Sequence, residues 1–199
     1  MTNRPVSRRQ FIATSVAVAC VAALPSTQAF AATAPLSAAE IKDLIFMREE
    51  EKVARDVYIT LYGTWRHAVF NNISKSEQQH MDTIKKKLDK YGLPDPAQSA
   101  VGAFTDPALQ KLYMDLVALG SKSLIDALKV GCIIEDVDIH DLQNAISTAT
   151  HTDLDFIYQN LMEGSYNHMR AFVGALNAQG GSYTPQYISQ ELYNEILGI

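Results

Sequence analysis

Apolar residues return at helical spacing along most of the chain, and no segment alternates with the two-residue period of a strand over a useful length. Leu44, Met47, Glu51, Ala54, Tyr58, Leu61 and Trp65 form one stripe. Ile73, Glu77, His80, Ile84, Leu88 and Tyr91 form a second, and Leu128, Gly131, Glu135, Asp138, Leu142 and Ala145 a third. Leu154, Ile157, Leu161, Ser165, His168, Phe172 and Leu176 form the fourth. Residues three or four apart share a helical face, so each stripe places polar side chains where apolar ones belong.

Local signals set the ends. Ser37-Ala38-Ala39-Glu40 is a capping box that opens a helix running to Leu61 or Tyr62, with Gly63 as its stop. The second helix is expected from about Asn72 to Tyr91, closed by Gly92 with Pro94 beyond. A Pro-, Gly- and Ala-rich connection, Leu93 to Thr105, leads into a short amphipathic helix from about Pro107 to Leu119. The break at Gly120-Ser121-Lys122-Ser123 caps a third long helix, Leu124 to Ser147, and a fourth is expected from about Asp153 to Asn177, stopped by Gly180-Gly181. Ser189 caps a tail helix through Ile196. The pattern predicts an all-α domain over residues 38–197. Its four main helices have one long crossover, between the second and third, that carries the short extra helix. That is ferritin-like four-helix-bundle connectivity.

The first thirty-odd residues read differently. Ser7-Arg8-Arg9-Gln10-Phe11-Ile12 is a twin-arginine signature, followed by an apolar run from Phe11 to Leu24 and a small-residue cleavage site at Ala29-Phe30-Ala31. The run is short for a membrane span, so the expectation is a signal over residues 1–31 that is removed on export to the periplasm or beyond, with no stable span afterwards. Cys20 as a lipoprotein cysteine is the minor alternative, because Ala17 is a poor residue where a lipobox wants Leu. Cleavage after Ala31 leaves 14 basic against 22 acidic residues, which disfavours nucleic acid as a partner. It also leaves one cysteine, Cys132, so the mature chain has no internal disulfide and no four-cysteine metal site.

The polar residues on the inner faces carry the chemistry. Glu77 and His80 form a Glu-x-x-His pair, half of what two helices give a dimetal bundle site. Glu-x-x-His alone is common on solvated helices; its position within an apolar stripe is what raises it. On the first helix, Arg48-Glu49-Glu50-Glu51-Lys52 is a charge run of the kind that usually faces water. Glu51 shares the apolar stripe, Glu50 has a rival stripe with Phe46, Val53 and Val57, and Glu49 falls outward with Lys52 and Asp56. Periodicity leaves Glu50 and Glu51 open, with Glu51 favoured. On the third helix Glu135 reads as a ligand, Asp138 is balanced between ligand and core residue, and Asp136 and Asp141 read as surface. On the fourth, a lone His168 would ordinarily be a satisfied core histidine, but with acids and an imidazole opposite it reads as a ligand. Ser165 stands where a second Glu-x-x-His would have its Glu, which predicts one strong and one weaker metal position. His67, His140 and His151 receive no role.

Two sets of residues carry a resemblance. Glu51-x-x-Ala54-Arg55-x-x-Tyr58 resembles the first helix of rubrerythrin-type ferritin-like proteins, in which the Glu binds iron and the Tyr lies beside it. That resemblance decides for Glu51, and it implies a proton or electron relay at Tyr58. More closely, Met47 to Lys52, Glu77 to Met81, Ile134 to Ile139 and Asn167 to Phe172 together resemble the ferritin-like family called domain of unknown function 2202, over about Ala39 to Ile196. The resemblance implies a ferritin-like fold and a dinuclear metal centre, but no particular reaction. The expected ligands are Glu51, Glu77, His80, Glu135, Asp138 and His168. They would hold two divalent ions, iron first, with manganese or zinc as alternatives. Dioxygen or peroxide would be the reactant and, without a rubredoxin-like cysteine cluster, the electron donor would be external and of unknown kind. A homodimer is one assembly open to such a bundle. Iron binding or storage without turnover, and a metal-free structural bundle, are the competing readings.

Overall fold

A computed structural model describes residues 35–199; the signal and lipoprotein readings lie outside the described residues. The described residues form six helices: α1 (Ala38–Trp65), α2 (Ala68–Tyr91), α3 (Pro107–Gly120), α4 (Leu124–Thr148), α5 (Thr152–Ala178) and α6 (Gln190–Leu197), with no strand among them. None is long and apolar enough to cross a membrane. Four long helices make a bundle. α1 packs chiefly on α2 and α4 on α5, while α1 also meets α4 and α2 meets α5. α3 lies in the crossover against both α1 and α4.

The expected caps are present. Ser37 and Glu40 exchange both bonds of the capping box, Gly92 ends α2 in the left-handed conformation at φ 67°, and Ser123 and Ser189 cap α4 and α6. Two ends differ from the sequence reading. Gly63 does not stop α1, which continues to Trp65 and ends at Arg66 with φ 53°. Trp65 is held there by its indole N–H, which donates to the Gly120 carbonyl at 2.8 Å. α2 begins at Ala68, not near Asn72, because the His67 side chain accepts from the Val69 N–H and caps the earlier start.

Along the four long helices the core divides into two apolar clusters. One contains Val57, Leu61, Phe70, Phe172 and Leu176; the other contains Leu44, Met47, Ile84, Leu142 and Leu161. On each helix the inner polar residues fall between the two: Glu51 on α1, Glu77 and His80 on α2, Glu135 and Asp138 on α4, Ser165 and His168 on α5. A polar layer thus crosses the middle of the bundle.

Four charged residues read as outward are in fact buried: Glu49, Lys52 and Asp56 on α1, and Asp136 on α4. The covering comes from segments remote in sequence. Lys52 pairs with Asp56, donates to the Ala100 carbonyl at 3.0 Å and lies 4.2 Å over the Phe104 ring. Asp56 also accepts from Gly102 N–H at 2.9 Å, so this pair holds the crossover down. Asp136 accepts from the N–H groups of Gln186, Tyr187 and Ile188 and from the Tyr183 hydroxyl, fixing the tail before α6.

Candidate metal centre

Glu77 is the centre of the polar layer. Its Oε2 lies 3.0 Å from His80 Nδ1 and its Oε1 lies 2.9 Å from His168 Nδ1. Each imidazole also meets one further carboxylate: His80 Nδ1 is 3.2 Å from Glu51 Oε2, and His168 Nδ1 is 3.4 Å from Glu135 Oε2. The layer therefore contains two similar halves, each with one imidazole and one glutamate of its own, sharing Glu77. The two rings stack at 5.4 Å between centroids. Glu77, His80 and His168 each present a ligand atom within 4.8 Å of the others, a grouping able to hold a metal ion.

Surrounding residues orient these groups. His168 Nε2 is 2.8 Å from Ser76 Oγ, which turns Nδ1 toward Glu77 and Glu135. Tyr58, fully buried, donates its hydroxyl to Glu135 Oε1 at 2.6 Å. His80 rests on α5 where Gly164 has no side chain; a Cβ there would come within 2.6 Å of its Nε2. The sequence reading assigned nothing to Ser76 or Gly164. Helical glycines do not announce such contacts by themselves: Gly131 and Gly164 lie at close approaches, whereas Gly63 and Gly174 meet nothing.

Asp138 occupies the place opposite Ser165, whose hydroxyl donates to its Oδ2 at 2.5 Å. A glutamate at position 165 would fill that space from α5; here the carboxylate arrives from α4. Ser165 therefore has a carboxylate beside it after all, brought by α4. Glu50, the rival to Glu51, points elsewhere. Its charge faces Asp138 and Asp141, whereas Glu51 faces His80.

The electrostatics are those of a site short of positive charge. Burial pushes Glu51 up to about 7 although His80 pulls the other way. Glu135 and Asp138 are raised too, by burial first, and in Asp138 also by the Glu51 and Glu135 charges. Burial opposes charge on the imidazoles, but the carboxylates outweigh it: Glu51 and Glu77 hold His80 up to about 12, and Glu77 and Glu135 hold His168 up to about 10. Glu77 goes down to about 2, the two imidazoles overcoming its burial. Protonated imidazoles thus offset part of the carboxylate charge of the cluster. Glu51 Oε1 and Asp138 Oδ1 make no hydrogen bond, although buried polar atoms normally do. Two divalent ions would balance Glu51, Glu77, Glu135 and Asp138 with neutral imidazoles, and would take up those free lone pairs. The residues present fit a dimetal group.

The comparisons with known proteins agree with this architecture. Residues 40–199 match the family described as "Uncharacterized protein domain (DUF2202)". The chain belongs to this family. The uncharacterised protein MJ0754 of Methanocaldococcus jannaschii is 54% identical over 164 residues, which is 82% of this chain and 89% of that protein. The crystal structure of the hypothetical protein MJ0754 from Methanococcus jannaschii aligns with a TM-score of 0.82 at 53% identity, covering 84% of this family member and 97% of that chain.

Proposed function

We propose that this member of the family is a ferritin-like dimetal protein, iron being the best-matched metal, that reacts with dioxygen or peroxide after export by the twin-arginine route. The observation that carries the reading is Glu77, whose two oxygens face two different imidazoles across the bundle core. A carboxylate shared by two imidazoles, with a further glutamate beside each, suits two hard-to-borderline divalent ions. Glu51 with His80 would hold one ion and Glu135 with His168 the other, with Asp138 as a further carboxylate held by Ser165. When bound, such a pair supplies Lewis-acid polarisation and electrons to an oxygen reactant. The apolar clusters above and below exclude bulk water. Tyr58 keeps its proton, burial and the nearby Glu135 charge raising it well above the usual phenol range, and holds it on Glu135 Oε1. It is placed to pass a proton to that carboxylate.

The test is elemental analysis and an ultraviolet–visible spectrum of protein exported by its own signal, followed by assays of peroxide and dioxygen consumption. Two metal ions per chain and consumption of either reactant support the proposal. Two ions with no consumption make it a metal-holding protein. A metal-free protein that takes up no added iron, manganese or zinc defeats it. Replacing Arg8 and Arg9 with Lys should strand the precursor in the cytoplasm; unchanged export defeats the localisation.

A further inference from the structure

A cavity of about 160 Å³ opens between α1, α3 and α4, and Asp138 lines it. Its walls include Val53, Leu109, Leu116 and Val137, and at its rim Phe46 and Leu112 are 41% and 43% exposed. Three acids lie in it: Glu50 from α1, and Asp138 and Asp141, three apart on one face of α4. Among the described residues that line it, none is basic. Asp138 is only 6% exposed and its Oδ1 has no hydrogen-bond partner; Glu50 Oε2 has none either. Asp141 also lines a second, outer groove with Asp43 and Asn144, where Lys42 is the basic neighbour. Carboxylates therefore continue from the outer groove through Asp141 and Glu50 to Asp138, beside the Glu51 charge of the central cluster.

We propose that Glu50 and Asp141 form a loading position that hands a divalent cation from the surface through Asp138, which lines both the cavity and the centre, to Glu51, Glu77, His80, Glu135 and His168. The proposal rests on the dimetal reading above. The volume matches about five waters at ~30 Å³ each, enough for an ion with part of its hydration shell. The acids crowd one another there, and a divalent cation among them would relieve that mutual repulsion. Two of their oxygens, Glu50 Oε2 and Asp138 Oδ1, are free to replace lost hydration, and the carboxylates and imidazoles beyond offer the ion a more complete ligand set.

The test is stopped-flow uptake of cobalt(II) by metal-stripped protein, followed by its visible absorbance, with the endpoint set by elemental analysis. Wild type is compared with Glu50→Gln, Asp141→Asn and the double variant, each checked for native helicity by circular dichroism. The expected result is an unchanged endpoint of two cobalt ions per chain, reached about tenfold more slowly or worse in the double variant. Release to a chelator should slow in parallel, and the wild-type rate should fall more steeply with salt than the variant's. Unchanged uptake rates with a full endpoint would overturn the loading position and leave the dimetal reading intact, moving the route to the half-buried His80 side. An endpoint lower by one ion would make Glu50 a ligand of the centre, and also overturn it. Wild type that binds no cobalt removes both readings together.

Discussion

A histidine that offers one ring nitrogen to a metal needs the other nitrogen satisfied, or its ring turns. Ser76 does this for His168 at 2.8 Å, one residue before Glu77 on the same helix. Ser76→Ala should lower metal affinity about 10–100-fold with helicity kept, measured by competition with a chromophoric chelator. Tyr58 has a different job. Its hydroxyl reaches Glu135 at 2.6 Å from a fully buried ring that also packs 4.9 Å from Phe172. Tyr58→Phe keeps the packing and removes only the hydroxyl. Metal stoichiometry should stay at the wild-type value while peroxide consumption falls about 10²-fold, in the range for a positioned proton donor. Equal consumption by the two proteins would leave Tyr58 a structural hydrogen bond.

The helices themselves are held in place by charges that read as solvated. The Lys52–Asp56 pair, both residues 0% exposed, clamps the crossover through Ala100 and Gly102, and Arg55 adds two bonds to Asp56 Oδ1. Arg48 grips Asp95 with two parallel bonds at the crossover's start. Such a pair adds little over an apolar substitute, but breaking it leaves a charge without a partner. Asp56→Ala should cost about 3–5 kcal/mol, read as a lower urea midpoint. The crossover should then become the first segment to lose hydrogen-exchange protection. Loss of less than about 1 kcal/mol would mean that Arg55 and Lys52 find water instead.

At the scale of the molecule, the polar layer couples folding to protons and to metal. In the metal-free protein Glu51 stays protonated to about pH 7, whereas its unfolded form ionises near 4.5. The stability it gives is complete below 4.5 and is lost as pH rises through 7. His80, raised to about 12, gives stability that is complete below 6.5 and drains away as pH rises toward 12. Glu77 works in reverse, its contribution being present above 4.5 and lost as pH falls to about 2. The metal-free protein should therefore melt at its highest temperature in mild acid and at lower temperature toward pH 8. Metal needs the same groups deprotonated, so its binding strengthens over that range. The gap between metal-loaded and metal-free melting temperatures should widen from about pH 5 to pH 8. Parallel curves in differential scanning calorimetry would show that these groups do not bind the ion.

The sequence by itself determined the order of the helices and the apolar stripe along each of the four long ones, because capping and a 3.6-residue period are local properties of the chain. Glu51, Glu77, His80, Glu135, Asp138 and His168 were legible for that reason: each stands in an otherwise apolar stripe. Periodicity could not separate Glu50 from Glu51, since neighbours on a helix differ by 100° and both point partly inward. Only the position of α2 and α4 decided that one faces His80 and the other Asp141. Nor could it show that Lys52, Asp56 and Asp136 are buried, because what covers them is the crossover and the tail, some fifty residues away. The same holds for Asp138. Its role depends on the space above Ser165, and that space exists only when α4 and α5 are packed together.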